Sequence, residues 1–148
     1  MKIILASDHA GFELKNKIKD FLIDRSHEVE DLGAHVYNPN DDYPEIILPA
    51  AMKIVNDPKL RAIVFGKSGQ GEAIICNRLP GVRAVVYYGK NTEIIRLSRE
   101  HNDSNVLSVG AHFVGEEEIK DAILLWLQTP FSGDERHKRR IEMLDSIE

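Results

Sequence analysis

Cysteine is nearly absent from this chain: Cys76 stands alone among 148 residues. That excludes an intrachain disulfide framework and a thiolate pair for zinc, and it fits a reducing compartment. Long apolar runs are missing as well. None approaches the roughly 20 residues of a membrane span, and the opening Lys2–Ala6 stretch is too short for a signal-peptide core, so a cytoplasmic protein with no membrane partner is expected. Positive charge is in deficit, with 19 Lys and Arg against 24 Asp and Glu and a formal net charge of -5. Nucleic acid is therefore not an expected partner; the basic cluster Arg136-His-Lys-Arg-Arg140 is small enough to suit a small anion. The six histidines show no H-x-x-x-H spacing, so neither a metal nor another cofactor is expected. Internal repeats and low-complexity segments are absent too.

What the chain does have is alternation. With 43% hydrophobic and 29% charged residues it suits one compact domain over residues 1–148. Ile3–Ala6 reads as a first strand ending in Asp8-His9, followed by a helix with Leu14, Ile18, Phe21 and Leu22 at helical spacing. Glu28–Leu32 is a weaker strand, and the polar loop Asn38-Pro-Asn-Asp41-Asp42-Tyr43 leads to a helix striped by Ile46, Ile47, Ala50, Ala51, Ile54 and Val55, with Pro49 blurring its start. Further strands are expected at Arg61–Phe65, Val82–Val86 and Asn105–Val109. Helices are expected at Glu72–Arg78, at Asn91–Glu100, around Ile119–Trp126 and over Gly133–Glu148, the last with Ile141, Leu144 and Ile147 as an apolar stripe. Strands alternating with helices, without tight hairpin signals, predict an α/β fold: a Rossmann-like three-layer sandwich with a five-stranded parallel sheet. Strand order is not readable from the pattern.

The chain's chemistry centres on Gly66-Lys67-Ser68-Gly69-Gln70-Gly71-Glu72, a glycine-rich turn between a β-branched strand and a helix. In open α/β sheets ligands sit beyond the carboxyl ends of strands, where glycines let backbone N–H groups close on an anion. A P-loop is excluded, because its leading glycine would fall at Arg61. A dinucleotide fingerprint fits poorly, because its third glycine would fall at Ile74. A plain tight turn is the bland alternative.

Glu72, at the start of a helix, reads either as a carboxylate complementing the helix dipole or as a base; Asp8-His9 reads either as an N-cap with an exposed ring or as an acidic partner. Their joint position on the carboxyl rim favours proton abstraction next to a carbonyl. His101 follows a helix that runs back from that rim. It should lie near the amino end of the fifth strand and, if catalytic, act in a neighbouring subunit's site; otherwise it simply faces a helix dipole. Arg136 and Arg140, at i and i+4 on the last helix, form either a solvated face or a fork suited to phosphate. Cys76 is most simply a buried small hydrophobe.

Taken together, Asp8-His9-Ala-Gly11-Phe12, Asp42-Tyr43-Pro44, Gly66-x-Ser68-Gly69-x-Gly71-Glu72, Asn77-Arg78, Gly81-Val-Arg83-Ala84, Arg99-Glu-His101-Asn102 and Arg136-His-x-Arg-Arg140 resemble the type B ribose-5-phosphate isomerases and the related galactose-6-phosphate isomerase subunits. The resemblance runs in order over essentially the whole chain. It implies a metal-free aldose–ketose isomerase working through an enediolate, assembled as a homodimer with shared sites or as a dimer of dimers, with a sugar phosphate as its small-molecule partner. By the same resemblance Asp8 assists ring opening together with His101 of the partner subunit, and Glu72 moves the proton between C2 and C1. Ser68 and the backbone of Gly66, Gly69 and Gly71 hold the oxyanion. His9, Arg136 and Arg140 bind phosphate, while Tyr43 and Asn102 line the sugar pocket. Many members carry the base as a cysteine where this chain has Gly66; the sequence resembles the branch with Glu at position 72. Lys67 stands where a small residue is more usual, and His112 where some relatives have Arg.

The resulting expectation is a ribose 5-phosphate/ribulose 5-phosphate isomerase. The same chemistry on galactose 6-phosphate or allose 6-phosphate is the nearest alternative, and a non-catalytic sugar-phosphate sensor is the alternative of a different class. A flavodoxin-like electron carrier is a more distant one.

Overall fold

The computed structural model describes residues 1–148. Five strands, β1 (Lys2–Ser7), β2 (Glu28–Asp31), β3 (Arg61–Gly66), β4 (Ala84–Tyr87) and β5 (Val106–Gly110), form one parallel sheet in the order β2-β1-β3-β5-β4. Six helices connect and follow them: α1 (Phe12–Asp24), α2 (Tyr43–Asn56), α3 (Gln70–Cys76), α4 (Glu93–Glu100), α5 (Glu116–Gln128) and α6 (Glu135–Asp145). The central strands are apolar on both faces, so alternate residues feed two cores. Ile3, Leu5, Ile63, Phe65, Leu107 and Val109 pack against α1, α4 and α5, with Trp126 fully buried among them. Ile4, Ala6, Ala62, Val64 and Val106 pack against α2 and α3 through Ile47, Ala50, Ala51, Ile54 and Cys76. Burying both faces is what a parallel sheet demands.

Several boundaries differ from expectation. Asp8 opens a single 3-10 turn, His9–Gly11, before α1 begins, because its carboxylate Oδ1 accepts the N–H groups of Ala10 (3.0 Å) and Gly11 (3.2 Å). Helix α3 starts two residues earlier than Glu72, which places Glu72 in its first turn. Strand β4 is Ala84–Tyr87 rather than Val82–Val86, since the Asn105 side chain takes the Arg83 N–H (2.8 Å) and the Asn77 side chain brackets Ala84. Helix α2 starts at Tyr43 and carries Pro49 on an exposed interior position, while Val55, expected on its inner face, is exposed. Helix α6 spans Glu135–Asp145 rather than reaching Glu148, so Ile147 lies beyond it; the expected apolar stripe is largely uncovered, with Leu144 and Ile147 exposed, and the helix buries only His137.

The strand order has a consequence for function. The chain leaves β1 toward β2 on one side and places β3 on the other, so β1 and β3 flank a topological switch point, where ligands of doubly wound sheets bind.

Candidate active site

Register brings the two motifs of that switch point side by side. Ser7 pairs with Phe65, so Asp8 follows β1 beside Gly66, the last residue of β3, and Gly66 in turn pairs with Gly110 of β5. The loop after β3 is pinned to β5: the N–H of Ala111 donates to the Gly66 carbonyl (2.9 Å), that of His112 to Lys67 (3.1 Å), and the Ser108 hydroxyl to Gly69 (2.5 Å). Gly69 has φ +77°, and a Cβ there would lie 3.0 Å from the Gly110 nitrogen. The loop therefore needs a glycine to turn back along β5. In this turn the N–H groups of Ser68, Gly69 and Gly71 find no acceptor within the protein, whereas that of Gln70 is taken by the Ser68 hydroxyl (3.3 Å). Unpaired N–H groups just beyond a strand's carboxyl end are donors available to an anion bound there.

Glu72 projects back from α3 over the same strand end. An ideal Cβ on Gly66 would fall 2.0 Å from its Oε1, so the carboxylate occupies the space that any larger residue at position 66 would fill. A cysteine at 66 and a glutamate at 72 thus compete for one place, which accounts for the glycine in a chain that carries Glu72. Glu72 is 4% exposed. Burial raises its pKa above the ordinary carboxylate value, its own backbone N–H offsets part of that rise, and the Asp8 carboxylate adds to it. Asp8, 7% exposed, is also raised, chiefly by burial, against the opposing N–H of Gly11. Two neighbouring carboxyls are thus both pushed above the ordinary carboxylate value, chiefly by burial. Cys76, one turn beyond Glu72, is fully buried and its thiol is pushed up to about 12, so it is a core residue and not a base.

Tyr43, at the start of α2, lays its ring on Gly71, where a Cβ would meet the ring at 2.6 Å. His9 sits at the rim, and its Nδ1 is 2.6 Å from Asp41 Oδ1. In the sequence Asp41 is one acidic residue in a polar loop and nothing local marks it, because its partner is 32 positions away. The ligating atoms of Asp8, His9 and Asp41 lie within 4.8 Å of one another. Hydrogen bonds to each other and to backbone N–H groups account for this grouping without a metal.

The remaining site candidates lie at the opposite edge. Asn102 gives its carbonyl to Arg83 Nε (2.9 Å) just before β4. The adjacent Ser104 takes the Trp126 indole N–H (2.8 Å), and the Trp126 carbonyl takes Nη1 of Arg61, the first residue of β3 (3.0 Å). His101 and Asn102 are therefore anchored at the amino ends of the strands, about 15–20 Å from Glu72 by the rise of a five- or six-residue strand. His101 stacks on His137 of α6 at 4.3 Å between ring centroids, and Arg136 and Arg140 flank it, exposed and without an ion pair. His137 is buried with no hydrogen-bond partner on Nε2, the Asp134 carboxylate standing 4.0 Å away, and its pKa is lowered first by burial and then by His101 and Arg136, against Asp134. One chain thus carries two separate polar clusters: carboxyls and unpaired N–H groups at the carboxyl ends of the strands, imidazole and guanidinium groups at the amino ends.

A parallel α/β sheet with two buried carboxyls beside unpaired backbone N–H groups at its switch point defines the class: doubly wound α/β proteins with a polar site at the carboxyl ends of their strands. Within that class the chain belongs to the Ribose/Galactose Isomerase family, whose model it matches over residues 3–144. It is 38% identical over 148 residues to ribose-5-phosphate isomerase B of Mycobacterium tuberculosis, covering 100% of this chain and 90% of that protein. Among solved structures it resembles the ribose-5-phosphate isomerase B of Clostridium thermocellum (TM-score 0.90, 40% identity, 98% and 95% of the two chains covered). It also resembles that of Mycoplasma genitalium, solved with bound ribulose-5-phosphate (TM-score 0.91, 32% identity, 97% and 93% covered). No helix is long and apolar enough to cross a membrane.

Proposed function

We propose that this chain interconverts ribose 5-phosphate and ribulose 5-phosphate, with Glu72 as the base. In the open-chain aldose Glu72 removes the C2 proton, the electron pair of that C–H bond forms the C1–C2 double bond, and negative charge moves to O1. The N–H groups of Ser68, Gly69 and Gly71 receive that charge. Glu72 then returns its proton to C1 while the O2 hydroxyl proton passes to O1, leaving the ketone at C2. Asp8 serves ring opening. The partner subunit's His101 completes the ring-opening pair, and Arg136 and Arg140 of the same partner meet the phosphate, so the reading requires a homodimer. The observation that carries it is the Glu72 carboxylate held against the Gly66 backbone, beside free N–H donors.

The reading is tested by following ribulose 5-phosphate formation from ribose 5-phosphate in the presence of a chelator, with galactose 6-phosphate and allose 6-phosphate in parallel. Turnover of the pentose phosphate is expected. Turnover of a hexose phosphate alone would keep the enediolate mechanism and move the substrate, and stoichiometric binding without turnover would overturn the enzyme reading.

A further inference from the structure

The loop before α2 folds on itself, with the Asp41 N–H donating to the Asn38 carbonyl (3.2 Å), and this turn carries the Asp41 side chain over the start of the 3-10 turn after β1. There a single oxygen, Oδ1, accepts two hydrogen bonds from one residue: the backbone N–H of His9 (3.1 Å) and its ring Nδ1 (2.6 Å). The other oxygen, Oδ2, is buried without a partner, the side chain is only 10% exposed, and His9 is its one ionic partner. A buried carboxylate with a single partner acts on that partner alone.

We propose that Asp41 is the positioning residue of the phosphate end of the site, fixing the His9 ring as a cation with Nε2–H turned outward as a phosphate donor. The inference rests on the isomerase reading for the identity of the anion. Its logic lies in the ring's two nitrogens. Once Nδ1–H is committed to Asp41, a neutral imidazole would present a lone pair on Nε2 and repel a phosphate oxygen, and only the doubly protonated ring presents a donor. Nε2 has no partner in the protein. Most of the charged groups around the ring are acidic, and the one cation among them is itself paired. Asp8 precedes His9, and Glu13 and Asp20 of α1 line the depression beside it together with Lys17, which pairs with Glu13 and Glu116. Tyr37 offers only a ring edge at 6.3 Å. The Asp41 hydrogen bond, opposed by burial and aided by Asp8, holds the His9 ring above its ordinary value.

The test compares inorganic phosphate as a competitive inhibitor of the wild type and of Asp41→Asn, at about pH 6 and about pH 8, on either side of the ordinary imidazole value. Comparing the two proteins at one pH cancels the titration of phosphate itself. Near pH 8 the variant should bind phosphate about tenfold more weakly, the worth of one charge-assisted hydrogen bond, and near pH 6, where an unassisted ring is protonated anyway, the deficit should shrink to about twofold. An equal deficit at both pH values would reduce Asp41 to a shaper of its loop and overturn the proposal, as would no deficit. Should the variant not fold, nitrogen-15 spectra of the wild-type histidines decide: a doubly protonated His9 above pH 7 is expected, and a neutral ring there overturns the proposal. If the isomerase reading fails, it fails through absent wild-type turnover; direct phosphate binding then replaces inhibition in the same comparison.

Discussion

At neutral pH the charge on Glu72 works against the fold. Burial raises its folded-state pKa above the unfolded value, so between the two values the folded protein binds the proton more tightly. The stability this confers is fully present below the unfolded value, near pH 4, and is lost as pH rises through the folded value. Glu72→Gln removes the titration. The variant should unfold at a higher temperature than the wild type at pH 7 to 8, with the gap closing toward about pH 4, and its kcat should fall by about 10²- to 10⁴-fold. Calorimetry and the isomerase assay check the two halves; a variant both active and no more stable would remove Glu72 as the buried base. A second expectation concerns Cys76. A fully buried thiol with a pKa pushed up to about 12 offers almost no thiolate, so the native protein should resist alkylation by iodoacetamide and keep its turnover throughout, as read by mass and activity together.

At the scale of elements, the loop between β3 and α3 is the part whose geometry the chemistry needs. Gly69→Ala would force an L side chain into φ +77° and set its Cβ 3.0 Å from the Gly110 nitrogen. It should cost about 1–2 kcal/mol from the left-handed conformation alone, read as a lower denaturant midpoint, and should reduce kcat more than it raises KM by moving the N–H cradle. This loop was legible in the sequence because glycines after a β-branched strand have few other uses. The helices and strands were legible too, through their periods, and five strands alternating with helices led to the parallel sheet. Their order was not: strands buried on both faces read as uniform apolar runs, so nothing in β4 or β5 says which lies beside β3. Asp41 was hidden for a related reason, since its meaning arises only when a turn returns it to His9. The expected stripe on the last helix does not form a buried face: Ile147 lies past the end of α6, and it and Leu144 are exposed.

At the scale of the whole molecule, the proposed function needs two clusters that lie at opposite ends of the strands, and a single chain cannot fold one onto the other without dissolving β3 and β5. The proposed homodimer would join them, a second copy bringing its His101, Arg136 and Arg140 to the first chain's Glu72. Subunit mixing tests this directly. Glu72→Gln and His101→Asn should each be nearly inactive as pure dimers. In the mixed dimer one site combines both defects, while the other combines the intact Glu72 of one chain with the intact His101 of the other. Random exchange makes about half of all dimers mixed, so mixing should restore about a quarter of wild-type activity. If each site were instead complete within its own chain, every site in the mixture would still carry one defect, and no activity would return. Recovery should also appear at the rate of subunit exchange and disappear when the two variants are cross-linked as pure dimers beforehand, which separates a shared site from a contaminating isomerase.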